Sequence, residues 1–146
     1  MIISFDLDDT LIPGTKRFAT EKRSIFQRLL GIEEIRVGTI ELIKACQRKG
    51  HKVYVYTTSL RSVRRIKWVF YTYGIRLEKV INLGVHDRML SNEQSKPSKY
   101  PPAFGIDLHV DDAEGVALEG QRFNFRTVII LPDNIHWTDD ILNMLD

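Results

Sequence analysis

Cysteine is almost absent: Cys46 is the only one in the 146 residues, so no disulfide can close within the chain and a reducing compartment is the default expectation. Cys46 sits among the apolar residues of a helical pattern, where a buried, inert thiol is expected. Long apolar runs are absent too. The first one stops at Asp6, and none approaches the roughly 20 residues a bilayer span needs. The chain therefore reads as cytoplasmic, with no membrane partner. An excess of one charge sign is also lacking, since the net charge is +2 and the pI about 8.7. That is mildly basic, short of the dense Lys/Arg surface of a dedicated nucleic-acid binder. The four histidines, His51, His86, His109 and His136, are scattered without metal-ligand spacing, and none is assigned a role. With no repeat, low-complexity tract or linker, residues 1–146 read as a single domain.

What is present is alternation. Short apolar runs at Ile2 to Phe5, Lys52 to Tyr56, Val80 to Asn82, Ile106 to Val110 and Thr127 to Leu131 read as buried strands. Between them, Thr20 to Leu30, Thr39 to Lys49 and Ser62 to Tyr73 carry helical patterns that end before Gly31, Gly50 and Gly74. A shorter helix is expected from Asp112 to near Gly120, and a last one with Thr138 as cap and Asp139 and Asp140 in its first turn. The pattern predicts an α/β fold of three layers, Rossmann-like, with a mostly parallel sheet and helices on both faces. Ligands of such sheets bind beyond the strands' carboxyl ends. The segment Leu83 to Gly105, with Pro97, Pro101 and Pro102, shows little periodicity and reads as a long functional or mobile loop.

Chemistry gathers at that edge. Asp6 ends the first strand and Asp8 follows two residues on, while Phe5 and Leu7 alternate to the opposite side as anchors. Asp111 and Asp112 end the fourth strand in Leu108-His109-Val110-Asp111-Asp112, which brings four carboxylates to one site. Two unit charges about 4 Å apart repel by about 4 kcal/mol at an effective dielectric near 20, so the cluster calls for a cation. Oxygen-only ligands point to magnesium, and magnesium to a phosphoryl substrate. The second strand runs out into Thr57-Thr58-Ser59 just before a helix, which supplies hydroxyls and N–H groups suited to phosphate oxygens.

In this order the motifs resemble the haloacid dehalogenase superfamily of hydrolases: Asp-x-Asp-x-Thr at Asp6 to Thr10, then Thr57 after a strand, then a Lys, then the pair Asp111-Asp112. The resemblance spans Ile2 to about Leu131 and implies a HAD-like fold and phosphatase chemistry. Carried over, Asp6 attacks phosphorus to give an aspartyl-phosphate, Asp8 acts as general acid and then general base, and Thr57 holds phosphoryl oxygens. Magnesium is implied on the Asp6 carboxylate, the Asp8 carbonyl and Asp111, with Asp112 direct or through water. The presence of both Asp6 and Asp8 favours a phosphomonoester hydrolase, since a dehalogenase lacks the second Asp and ATPase relatives carry Thr there.

Two departures stand out. Only fourteen residues separate Lys96 from Asp111, where relatives place a helix and strand. Lys96-Pro97 looks more like the family signature, so Lys96 is preferred, with Lys99 the alternative. Only 46 residues separate Thr10 from Thr57, too few for a large cap domain, so the enzyme is expected to be capless. An open site admits a phosphorylated small molecule, a phosphoprotein or a nucleic-acid 3′ end, and leaves room for an oligomer partner to cover it. The basic face Arg61, Arg64, Arg65 and Lys67 begins just after Thr57 and offers cations to the phosphates of a nucleic-acid backbone, but a solvated amphipathic surface is the preferred reading, and Trp68, Phe70 and Tyr73 fit helical core better than base stacking. A phosphoacceptor signalling module resembling bacterial receiver domains is the alternative from another class. Its motif order differs, and no Asp ends the third predicted strand at Val80-Ile81-Asn82.

Overall fold

Each of the five apolar runs forms a strand in the computed structural model, which describes residues 1–145. The strands are β1 (Ile2–Phe5), β2 (Lys52–Tyr56), β3 (Lys79–Ile81), β4 (Leu108–Asp111) and β5 (Thr127–Ile129). All neighbours pair parallel, in the order β3-β2-β1-β4-β5. The register sets Phe5 opposite Val55 on one side and Val110 on the other. The ends of β1, β2 and β4 are therefore level at the sheet's carboxyl edge, with β1 in the middle.

Among the described residues six helices cover the sheet: α1 (Ile25–Leu29), α2 (Thr39–Arg48), α3 (Val63–Thr72), α4 (Leu83–Met89), α5 (Glu114–Phe123) and α6 (Trp137–Asn143). Strand alternation sorts residues to two faces. Ile3, Phe5, Val53, Val55 and Val110 enter the main core with Leu42 and Ile43 of α2, Ile66 and Phe70 of α3, and Trp137 and Ile141 of α6. On the opposite face a smaller cluster joins Tyr56 and Ile81 to Phe104 and Ile106, with Val85 of α4 packed against it. The fold is thus three-layered α/β with an all-parallel sheet, and no cap domain is present among the described residues.

Several boundaries move for identifiable reasons. The helix expected from Thr20 begins only at Ile25, because Thr20 bridges to Arg36 and the Glu21 N–H bonds the Ile35 carbonyl, holding residues 20 and 21 extended. Ser24 then caps α1, with Gln27 completing a capping box. Asn82 is not strand; its side chain accepts the Val85 N–H at 3.0 Å and starts α4. The segment 83–105 is not one long loop, since it holds α4 and a 3-10 turn at Pro101–Phe104. Helix α5 runs past Gly120 to Phe123, and α6 starts from His136 rather than Thr138. Cys46 is fully buried, and burial pushes its thiol up to about 11.

Arg36 locks the α1–α2 connection to the far end of the chain. Its Nη2 donates to the carbonyls of Leu131 at 2.8 Å and Asn134 at 3.1 Å, and its guanidinium lies 4.6 Å from the Phe18 ring and 4.9 Å from the Trp137 ring.

Candidate active site

Asp6 continues the β1 ladder by one bond, its N–H donating to the Val110 carbonyl at 2.8 Å. Phe5 and Leu7 are fully buried on either side, so the Asp6 carboxylate is held at the edge by core packing. It is 7% exposed. The chain then turns sharply: the N–H groups of Leu11 and Ile12 return to the Leu7 carbonyl, and Asp9 takes a left-handed φ of 64°. Asp9 secures the next loop by accepting from the Gly14 and Lys16 N–H groups and the Thr15 hydroxyl. A Cβ at Gly14 would stand 2.9 Å from the Asp9 Oδ1, so a larger residue there would push on the carboxylate that holds this loop.

Lys99 is a buried cation of the site. Its Nζ donates to Asp6 Oδ1 at 2.7 Å, to Asp111 Oδ2 at 3.1 Å and to the Tyr56 carbonyl at 3.0 Å, which uses all three ammonium donors. Lys96 is exposed and remote from these contacts, so the lysine preferred on local signature is not the one the fold delivers. The reason lies in α5: Glu119 accepts from the Ser98 N–H and hydroxyl and from the Lys99 N–H, and so pins that loop over β4. Burial would depress the Lys99 ammonium, but Asp6 and Asp111 more than offset it and raise it.

Burial has the opposite effect on Asp6. It lifts the carboxyl to about 6 against the lowering pull of Lys99, and Asp111 adds to the rise. Asp111 goes the other way. Burial would raise it, yet the hydrogen bond from His109, the Lys99 charge and the N–H groups of Asp112 and Ala113 hold it well below the usual carboxylate range. His109 is fully buried and pushed down to about 4 by burial, so it is neutral near pH 7 and its contact with Asp111 is a hydrogen bond, not an ion pair. Since Asp111 can only accept, Nε2 carries the proton and donates at 2.9 Å, leaving Nδ1 to accept the Ser4 hydroxyl at 2.7 Å.

The remaining expected residues divide. Thr10, fully buried, donates toward Asp6 Oδ2 at 3.2 Å and Asp112 Oδ1 at 3.1 Å. The Asp8 carboxylate turns outward to Arg61, whose Nη1 donates to Oδ1 at 2.7 Å. Asp112 pairs with Lys16 at 2.7 Å. Thr57 is buried with its Oγ1 accepting the Ser59 N–H at 3.0 Å, and the Ser59 hydroxyl accepts the Arg61 N–H. Thr58, not Thr57 or Ser59, lines the cleft of about 320 Å³ with Asp6, Asp8, Lys99, Asp111 and Asp112.

Asp6, Asp111 and Asp112 can each place one carboxylate oxygen within 4.8 Å of the others, a donor set of oxygens alone that fits a hard divalent cation. Five carboxylates, counting Asp8 and Asp9, face three cations, Lys16, Arg61 and Lys99, which leaves negative charge for such an ion to offset.

Sequence reading missed Arg61 as a partner of Asp8, Lys16 as a partner of Asp112, and the Ser4–His109–Asp111 chain. Only the last left a local signal, since alternation along Leu108-His109-Val110-Asp111 puts His109 and Asp111 on one face.

No family model and no curated protein matches the chain by sequence. Solved structures do match by shape. A predicted HAD-like family hydrolase from Porphyromonas gingivalis superposes with a TM-score of 0.53 at 14% identity, covering 99% of this chain and 97% of that one. The chain has a HAD-like fold. A second match lies in the Pnkp1/Rnl/Hen1 RNA repair complex, with a TM-score of 0.55 at 13% identity. It covers 91% of this chain, which spans 43% of that one. Among the described residues, no helix is long and apolar enough to cross a membrane.

Proposed function

We propose that the chain is a magnesium-dependent phosphomonoester hydrolase with Asp6 as its covalent nucleophile. The observation that carries this is the Asp6 carboxylate: fixed by Lys99 at 2.7 Å and Thr10 at 3.2 Å, it opens on a cleft that also holds Asp8, Asp111 and Asp112. Magnesium, held by Asp6, Asp111 and Asp112 with the Asp8 carbonyl, would supply charge neutralisation for the phosphoryl oxygens.

Asp6 attacks phosphorus, the phosphorus–oxygen ester bond breaks, and the leaving oxygen takes a proton from Asp8. Asp8 then removes a proton from water, whose oxygen attacks the aspartyl-phosphate and releases phosphate and free Asp6. Arg61 engages only Oδ1 of Asp8 among the described contacts, which leaves Oδ2 for proton transfer. Lys99 offsets the charge on Asp6 and the phosphoryl group throughout. Thr58 at the cleft wall and Thr57 behind it take phosphoryl oxygens; the Thr57 Oγ1 accepts from Ser59, so its own proton remains to donate. The same reading treats residues 1–146 as one catalytic domain working in the cytoplasm, where Cys46 stays reduced.

Asp6→Asn should lower magnesium-dependent turnover of para-nitrophenyl phosphate by at least about 10³-fold, and undiminished turnover would sink the nucleophile assignment. Accumulation of a stable acyl-phosphate without phosphate release would instead favour a phosphoacceptor module. The capless mouth admits a small phosphate ester, a phosphoprotein or a nucleic-acid end, and one structural neighbour comes from an RNA repair complex.

A further inference from the structure

Helical spacing puts Arg64, Lys67, Trp68 and Tyr71 on one side of α3, with Arg61 just before its Ser62 cap, where it meets Asp8. Trp68 does not join the core to which the helical pattern assigned it. It is 46% exposed and Tyr71 is 65% exposed, whereas Phe70 and Tyr73 are buried. The two exposed rings are stacked, 23° from parallel with centroids 6.1 Å apart, and form one aromatic surface. Beside them runs a groove of about 440 Å³ with Arg64, Lys67 and Arg76 on its rim and Leu77 on its floor.

The cations here are not spent elsewhere. Arg64, Lys67 and Arg76 make no ion pair among the described residues, while Arg65 is consumed by Glu33 at 3.1 Å and the Gly31 carbonyl at 2.8 Å. Glu78, the acid in the adjoining groove with Lys67 and Arg76, is held by the Val53 N–H at 2.9 Å. A ligand that satisfies both features must be anionic and flat at once. Single-stranded nucleic acid is both: its phosphates match the cations and its bases match the rings. An acidic peptide would use the cations and leave the aromatic surface uncovered.

The groove's Arg64 lies three residues after Arg61. Arg64 and Tyr71 lie about 10 Å apart along the helix axis, and the guanidinium of Arg61, just before the Ser62 cap of α3, touches Asp8 at 2.7 Å. We propose that this α3 groove binds single-stranded nucleic acid and presents its phosphorylated end to Asp6. The proposal takes the phosphatase reading as its basis and names the substrate class.

The test uses a short DNA or RNA oligonucleotide with hydroxyl ends, so that binding is read without the phosphatase reaction. Trp137 is buried, so quenching of tryptophan fluorescence reports Trp68. Wild type and Asp6→Asn should bind alike, with affinity falling with salt at a log–log slope of about −2, near −0.7 for each of three phosphates. Trp68→Ala and Tyr71→Ala should each weaken binding at least about fivefold, with Trp68→Phe close to wild type. Turnover of para-nitrophenyl phosphate by these variants should be unchanged. Absence of oligonucleotide binding by wild type, or equal binding by the alanine variants, overturns the proposal. So does polyglutamate binding as tightly as the oligonucleotide. Loss of the Asp6 assignment with binding intact removes only the phosphatase reading; turnover without oligonucleotide binding removes only the platform.

Discussion

Lys99 and Lys96 are three residues apart, and their fates differ completely. One is buried with three acceptors, the other is solvated. Lys99→Ala should therefore lower kcat of phosphate ester hydrolysis by about 10² to 10³-fold, while Lys96→Ala stays within about twofold of wild type. Steady-state kinetics on both variants decide this, and a larger loss for Lys96→Ala would reverse the assignment. The same scale explains why local signature and geometry point to different lysines: Lys96-Pro97 matches the signature, but Glu119, some twenty residues on, sets which lysine turns inward.

Among the elements, α5 is the one on which the site most depends, since it anchors the Lys99 loop through Glu119 and follows directly from Asp111 and Asp112. Gly120 lets it approach β5. A Cβ at that position would stand 2.9 Å from the Phe125 carbonyl oxygen and 3.1 Å from Thr127 Cγ2. Alanine gains up to about 1 kcal/mol of helix propensity over glycine. The clash is with backbone, which cannot swing aside, and overpacking of this kind costs about 1–3 kcal/mol. Gly120→Ala should thus destabilise the protein by about 1–2 kcal/mol in urea unfolding, and a more stable variant would show that α5 can shift. The segment 83–105 illustrates the same dependence. Its short helix α4 is too brief for periodicity to reveal, and it is held by the Asn82 cap and by His86 against the Tyr56 hydroxyl at 2.5 Å.

For the whole molecule, two buried groups set opposing pH dependences. His109 has its folded value near 4 against 6.5 when unfolded, so its contribution is fully present above pH 6.5 and is lost as pH falls toward 4. Asp6 has its folded value near 6 against 3.8, so its contribution is present below pH 3.8 and is lost as pH rises through 6. Between about pH 4 and 6 the two nearly cancel in the metal-free protein. His109→Gln removes one of them. Its stability measured with a chelator should rise as pH is lowered from 6 to 4, by about 1 kcal/mol per pH unit, while wild type changes little. A variant as flat as wild type would mean that His109 is not held neutral by the fold.

The sequence by itself determined the strand and helix alternation, the parallel sheet and the carboxylate edge. These follow from local periodicity and from the rule that parallel strands share one carboxyl end. Asp6, Asp111 and Asp112 were readable because each directly ends or follows a strand. Tertiary structure alone decided which lysine meets Asp6, that Arg61 holds Asp8, and that Trp68 faces solvent beside three cations. The first two rest on contacts between residues tens of positions apart, and the third on which side of α3 packs inward. No spacing along the chain records them, because they depend on how α3, α5 and the 83–105 segment pack against a common sheet.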